Sequence, residues 1–124
     1  MDPGAARHRA SRLTELAPDV AGWRRERLPE LPRDEPIRVV PDWICEMHSP
    51  TTRGYDLVKK RPFYARIGVA WLWYVDLEAR AVTVSRLADG AWVEVAAHGD
   101  DERVRLAPFA DVEMVLSLWW VAGK

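Results

Sequence analysis

The sequence predicts a single α/β domain built on a mixed β-sheet. Three observations lead to this prediction: a largely apolar run over residues 37–47 that ends near Glu46, a helical pattern after it, and strand-like segments beyond the helix. A strand, a helix and further strands in that order are typical of domains that combine helices with a sheet. With 124 residues, 48% of them hydrophobic, the chain can bury one modest core and has little room for a second.

The first segments of the chain set the expected domain boundary. Residues 1–14 carry Gly, Pro, Arg and His without hydrophobic periodicity, so we expect a flexible terminus there and a folded domain over 15–124. Residues 17–23 are predicted to form a short strand with Pro18 at its start. Residues 24–36 contain three prolines and eight charged residues, which predicts a surface connection.

The central prediction is a strand followed by a helix. Residues 37–47 are apolar almost throughout, which predicts a strand buried on both faces. Loop-forming residues at 48–54 precede a predicted helix over about 55–67, and Gly68 is suited to the position that ends it. Pro62 predicts either a kink in this helix or a helix that begins just before the proline.

The second half of the chain is predicted to be mostly β-structure. An Ala-Asp-Gly turn at 88–90 separates two strand-like segments, and an earlier hairpin connection at 76–80 separates two others. The apolar closing segment at 111–120 fits either a helix or a strand. The predicted strands in this half are 71–75, 81–87, 92–95 and 104–106.

Two charged residues stand out because their neighbours are apolar. A helical wheel places Lys60 in the middle of an apolar stripe and Asp56 at its edge. Glu46 similarly ends an apolar strand. Each could simply reach solvent at its tip, yet a buried charge is costly without a partner, and these two ions could satisfy each other. The apolar residues of the stripe are Leu57, Phe63, Tyr64 and Ile67.

A metal-assisted phosphodiesterase would need a second carboxylate beside Glu46. Carboxylate oxygens bind Mg²⁺, and the metal activates the attacking water, while a nearby lysine stabilises the developing charge. The candidates are Asp19, Asp42 and Asp76. Asp42 shares a strand face with Glu46 but lies roughly 13 Å away along the strand, which is too far to share one ion directly.

Several motifs together resemble the Uma-type restriction endonucleases, a family of the PD-(D/E)XK superfamily. Residues 41–46 (Pro-Asp-Trp-Ile-Cys-Glu) resemble its strand ending in glutamate, and residues 49–52 (Ser-Pro-Thr-Thr) resemble its Ser-Pro-Ser/Thr-Thr loop. The helix fits the family's Asp-x-x-x-Lys-x-x-x-Tyr pattern through Asp56, Lys60 and Tyr64. Residues 73–76 (Trp-Tyr-Val-Asp) fit its Trp-x-Val-Asp strand.

The resemblance implies a restriction-endonuclease-like mixed sheet with flanking helices and Mg²⁺- or Mn²⁺-dependent cleavage of DNA. Pro18-Asp19 matches the family's first catalytic aspartate, so Asp19 and Glu46 would bind the metal and Lys60 would assist the attacking water. Family members usually have a long stretch before this aspartate, whereas only 17 residues precede Pro18 here. We therefore expect the N-terminal part of the core to be missing.

Other residues near these motifs are given less reactive roles. Tyr64 is expected to pack beside Lys60. His48 occupies the place where the superfamily usually has its lysine; it could bind metal or carry a proton, but a loop histidine is more often at the surface. Cys45 is expected to be a small buried hydrophobe. Five tryptophans are expected in the core or at a dimer surface instead of stacking on bases: Trp71, Trp73, Trp92, Trp119 and Trp120.

Composition limits the partners and the compartment. The net charge of −1 argues against strong general affinity for DNA, so any contact should be weak or metal-dependent. One cysteine excludes an intrachain disulfide, and neither a signal peptide nor a membrane-spanning run is recognisable, which predicts a cytoplasmic protein. Pairing into a homodimer would enlarge the small core. Two alternatives stay open: a catalytically inactive relative that acts as a binding or assembly module, and a hydrolase of RNA or nucleotides.

Overall fold

The computed structural model describes residues 18–120 and contains a five-stranded mixed sheet in the order β1-β2-β3-β4-β5. The predicted fold class, a mixed sheet combined with a helix, is confirmed. A small second sheet pairs β6 with β7, and a 3-10 turn at Leu116–Leu118 follows it. The strands are β1 Val20–Gly22, β2 Trp43–His48, β3 Trp71–Asp76, β4 Ala81–Ala88, β5 Ala91–Gly99, β6 Arg103–Val104 and β7 Met114–Val115.

The helix lies between β2 and β3, which are the one parallel pair of the five-stranded sheet. Parallel neighbours need a crossover connection, and residues 53–67 supply it. This crossover helix consists of α1 Arg53–Tyr55, a π-helical turn at Asp56–Lys60 and α2 Arg61–Ile67. Gly68 ends it with a left-handed backbone at φ 89°, as its position in the sequence predicts.

The π-helical turn replaces the kink that Pro62 predicts. The N–H of Arg61 bonds to the carbonyl of Asp56, five residues back. Pro62 follows directly, and its ring would otherwise crowd the carbonyl four residues before it. The wider turn also changes the helical phase, because Leu57 is 41% exposed although the wheel places it in the apolar stripe. The prediction for Leu57 is therefore wrong.

Strand β2 begins later than predicted. The prediction covers residues 37–47, whereas the strand runs from Trp43 to His48. The preceding segment makes other bonds: the carbonyl of Val39 accepts from the Trp23 indole, and that of Val40 accepts from the Arg27 guanidinium. Backbone groups committed to these partners do not join the sheet ladder.

Alternation along β2 and β3 gives the sheet two different faces. The apolar face is formed by Cys45, Trp73, Val75, Val82, Val84, Val104, Leu106, Leu116 and Trp120. The helix face packs the sheet against the crossover helix and is formed by Ile44, Phe63, Tyr64, Ile67, Val69, Leu72 and Tyr74. Trp73 and Trp120 are buried, as predicted for core tryptophans, and Cys45 is buried as a free thiol. No helix within residues 18–120 is long and apolar enough to span a membrane.

Candidate active site

The register of β1 against β2 brings Asp19 beside Glu46. These strands are antiparallel with Val20 opposite Cys45, so the next pair outward is Asp19 and Glu46. Side chains directly opposite each other in an antiparallel pair lie on the same face of the sheet. Asp19 Oδ2 accepts a hydrogen bond of 2.7 Å from the N–H of Met47, which holds the aspartate at the end of β2.

Glu46 is fully buried and is held by two residues of the crossover helix. The Lys60 ammonium donates to Oε2 at 2.9 Å, and the Tyr64 hydroxyl donates to Oε1 at 2.9 Å. The structure thus brings Asp19, Glu46 and Lys60 together. The sequence predicts only that Tyr64 packs beside Lys60, and the hydrogen bond from its hydroxyl to Glu46 goes beyond that prediction. The signal was present, because a buried tyrosine hydroxyl needs a partner and Tyr64 follows Lys60 by one turn.

A second buried polar pair adjoins Lys60. Asp56 Oδ1 lies 3.7 Å from the Lys60 ammonium, and Asp56 Oδ2 lies 3.7 Å from His48 Nδ1. Neither Asp56 Oδ2 nor His48 Nδ1 has a hydrogen-bond partner within the described part of the chain.

The interpretation of His48 as a surface residue is wrong. It is 8% exposed and its ring packs against Tyr74, with the ring centres 4.2 Å apart. The cause is strand alternation: β2 extends to His48, two residues after Glu46, so both side chains point to the helix face.

The electrostatics of the cluster follow from burial and from the hydrogen bonds. Burial raises the pKa of Glu46 above its usual value, although the bonds from Lys60 and Tyr64 oppose the shift. Burial alone would lower the pKa of Lys60, but the hydrogen bond and charge of Glu46, with Asp56 and Asp19, raise it overall. Burial lowers the pKa of His48 below its usual value, although the nearby charge of Asp56 opposes the shift.

The two other candidate aspartates, Asp42 and Asp76, bond to residues outside the Glu46 cluster. Asp42 lies at the opposite end of β2, where it accepts hydrogen bonds from the Arg24 N–H and the Arg27 guanidinium. Asp76 forms an ion pair with Arg53 and also caps the Ala79 N–H. Asp19 is therefore the carboxylate that the fold brings directly opposite Glu46.

The donor set is compatible with a magnesium or manganese ion that keeps several waters. Within residues 18–120, no group of three or more His, Cys, Asp or Glu residues is arranged to hold a metal. Mg²⁺, however, commonly uses one or two carboxylates and completes its shell with water and substrate oxygens. Each Glu46 oxygen accepts one bond and retains a lone pair, and Asp19 Oδ1 accepts none from the described residues.

Comparison with known proteins identifies a family and a related fold. A family model named Uma2, putative restriction endonuclease, matches residues 3–118. A crystal structure of a putative nuclease belonging to DUF820, from Anabaena variabilis, shares the fold at 22% identity and a TM-score of 0.60. The match covers 84% of this chain and 60% of that one, so the chain spans less than two thirds of its length. No curated protein matches the sequence.

Proposed function

Since the chain belongs to the Uma2 family of putative restriction endonucleases, we propose that it is a metal-dependent endonuclease that hydrolyses phosphodiester bonds in DNA. The observation that supports this most is that Glu46 is fully buried and bonded to Lys60, with Asp19 opposite it in the β1–β2 register. A fully buried carboxylate and a buried lysine cost stability relative to apolar residues of the same size. Such a cost is typical of functional sites.

In this proposal the two strand-end acids bind Mg²⁺ or Mn²⁺. Asp19 and Glu46 would be the protein ligands, and the bound metal would polarise the phosphoryl oxygen and lower the pKa of the attacking water. Lys60, 2.9 Å from Glu46, would orient that water and stabilise the charge that develops on phosphate. Tyr64 would keep Glu46 in the orientation that the metal requires.

The proposal also includes the setting of the reaction. DNA is the proposed partner, and the cytoplasm is the proposed location. A homodimer is part of the proposal because a cut through both strands requires two sites, which a two-fold pair would supply.

An inactive relative that acts as a binding or assembly module is the second candidate. Two observations favour it. Both Glu46 oxygens are already held by side chains of the helix, and no three-donor cluster exists within residues 18–120. In that case Glu46 and Lys60 would serve only to fix the position of the crossover helix on the sheet.

Metal titration separates the two candidates. We expect calorimetry to show Mn²⁺ and Mg²⁺ binding to the wild-type chain, and we expect Glu46→Gln and Asp19→Asn each to abolish it. Asp42→Asn is the matched control, because Asp42 lies beside the same strand pair but at its other end. An absence of wild-type binding at millimolar metal would favour the inactive relative.

Cleavage assays then identify the substrate. Labelled DNA and RNA of the same sequence are incubated with wild-type protein and Mg²⁺ or Mn²⁺, with Glu46→Gln in parallel. The proposal expects metal-dependent cleavage of DNA that Glu46→Gln lacks. Cleavage of RNA alone would replace DNA as the substrate while keeping the same site.

A further inference from the structure

The nearly neutral net charge conceals two oppositely charged segments of equal length. The crossover helix, residues 53–67, contains five Lys or Arg residues and one acid. Residues 88–102, which include β5, contain five acids and no Lys or Arg. The net charge of −1 for the whole chain is therefore no guide to the local potential along the helix.

The cations of the helix occupy different surroundings. Lys60 and Arg53 are engaged in ion pairs. Lys59 and Arg66 are exposed and form no ion pair with the described residues, and Arg66 lies over the Phe63 ring at 5.9 Å. Arg61 is half-buried, with its guanidinium 5.9 Å from the centre of the Tyr74 ring. We call the two exposed cations, Lys59 and Arg66, the basic flank.

The basic flank lies on the helix that supplies Lys60 to the candidate site. Lys59 directly precedes Lys60 in the chain. Arg61 is not part of the flank, because it lies on the opposite side of the helix, over Tyr74 and next to Trp92 of β5. Lys59 and Arg66 are seven residues apart, which is two helical turns and places them on nearly the same side. They are separated by about 10 Å along the helix axis, over which one DNA strand carries about three phosphates.

We propose that the basic flank binds the phosphates of a nucleic-acid strand next to the bond that is cut. This inference rests on the proposed nuclease function and adds the path that the substrate takes over the protein. The occupant is a polyphosphate backbone because the flank offers unpaired cations and no exposed acid on residues 57–66.

Binding measurements with matched charge reversals test this path. A short fluorescein-labelled DNA duplex is titrated with protein at several salt concentrations, without divalent metal and with Ca²⁺, and anisotropy is recorded. Arg66→Glu and Lys59→Glu are compared with Arg86→Glu. Arg86 is an exposed arginine opposite Trp71 in the β3–β4 register, on the apolar-face side, so the control makes the same charge change away from the helix.

We expect Arg66→Glu and Lys59→Glu each to weaken DNA binding several-fold and to reduce the slope of log affinity against log salt by about one. Arg86→Glu should leave both quantities unchanged. Melting temperatures of all three variants show whether the fold is retained. Equal loss in all three variants, or no loss in the two helix variants, would overturn the inference, as would the absence of wild-type binding.

The inference and the proposed function can fail separately. Suppose that the wild-type chain binds metal and cleaves DNA, but the helix variants bind DNA normally. This result would refute the proposed DNA path and support the nuclease function. Suppose instead that DNA binding depends on the helix residues, but the chain neither binds metal nor cleaves DNA. This result would refute the nuclease function and support the proposed DNA path, as expected of a binding module.

Discussion

The same strands contribute to an apolar cluster on one face of the central sheet and to a group of buried ionisable residues on the other. On β2, Cys45 points to the apolar face, whereas Glu46 points to the helix face. The apolar face joins nine buried apolar residues into one cluster. On the helix face a similar apolar cluster adjoins four buried ionisable residues: Glu46, His48, Asp56 and Lys60.

This difference between the faces implies that the apolar face contributes most to the stability of the fold, whereas the helix face contributes less. Apolar burial stabilises a fold by about 25 cal/mol for each Å² removed from water. Buried charges contribute little or nothing net, even when they are paired, because each loses its hydration. The apolar face can therefore hold the sheet together while the helix face maintains a charged cluster, and substitutions on the two faces should have separable effects.

Glu46→Ala should have the largest effect, because it leaves the Lys60 ammonium and the Tyr64 hydroxyl without their partner. We expect a loss of about 3–5 kcal/mol in the free energy of unfolding, measured with urea, and a complete loss of metal binding. Glu94→Ala, an exposed acid on β5, should change stability by less than about 0.5 kcal/mol. A loss for Glu46→Ala as small as that of the control would contradict the distinction between the faces.

Leu116→Ala tests the apolar face alone. Leu116 is fully buried there, so we expect a loss of about 3 kcal/mol in the free energy of unfolding. Metal affinity of the folded variant should stay at the wild-type value, since Leu116 belongs to the cluster on the other side of the sheet. A changed metal affinity would mean that the two faces are coupled.

Tyr64→Phe tests the helix face with little change in shape. The variant keeps the ring but removes the hydroxyl that donates to Glu46 Oε1, so we expect a loss of about 1–2 kcal/mol in stability. Metal affinity, measured by calorimetry, should fall about tenfold, because a partner that orients a metal ligand affects binding. Tyr55→Phe is the control at a half-exposed ring, and it should match the wild type in both measurements.

Metal affinity should depend on pH through Glu46. The carboxylate must lose its proton to bind metal, and burial raises its pKa above the ordinary 4.5, so the proton competes at a higher pH than for an exposed glutamate. Calorimetry from about pH 8 downwards should show affinity falling before pH 4.5 is reached, while circular dichroism shows an intact fold. Constant affinity down to that pH would contradict the shift.

The pairing of Lys60 with Glu46 could be predicted from the sequence because each is a charged residue within or at the end of an apolar pattern. Lys60 interrupts an apolar helical stripe, and Glu46 ends an apolar strand; the structure pairs them at 2.9 Å. Asp19 followed from the family motif alone, since a single aspartate after a proline has no pattern of its own. Its position opposite Glu46 depends on a strand register that only the folded sheet reveals.

The parts that could not be predicted depend on distant or irregular geometry. The start of β2 is decided by Trp23 and Arg27, which bond to carbonyls 16 and 13 residues further along the chain. The exposure of Leu57 depends on the π-helical turn, which a wheel of 100° per residue ignores. His48 was different, because extending the predicted strand by one residue would have placed its side chain on the same face as Glu46.

The π-helical turn at Asp56–Lys60 has a consequence for how the helix could be altered. The turn holds one residue more than an ordinary helical turn, so removing one should restore regular winding. Without Val58, the bond from the Arg61 N–H to the Asp56 carbonyl would span four residues instead of five, as in an α-helix. Asp56 would therefore keep nearly its present direction, and Lys60 and Tyr64 would still face Glu46. A chain shortened by this one residue should retain the polar cluster.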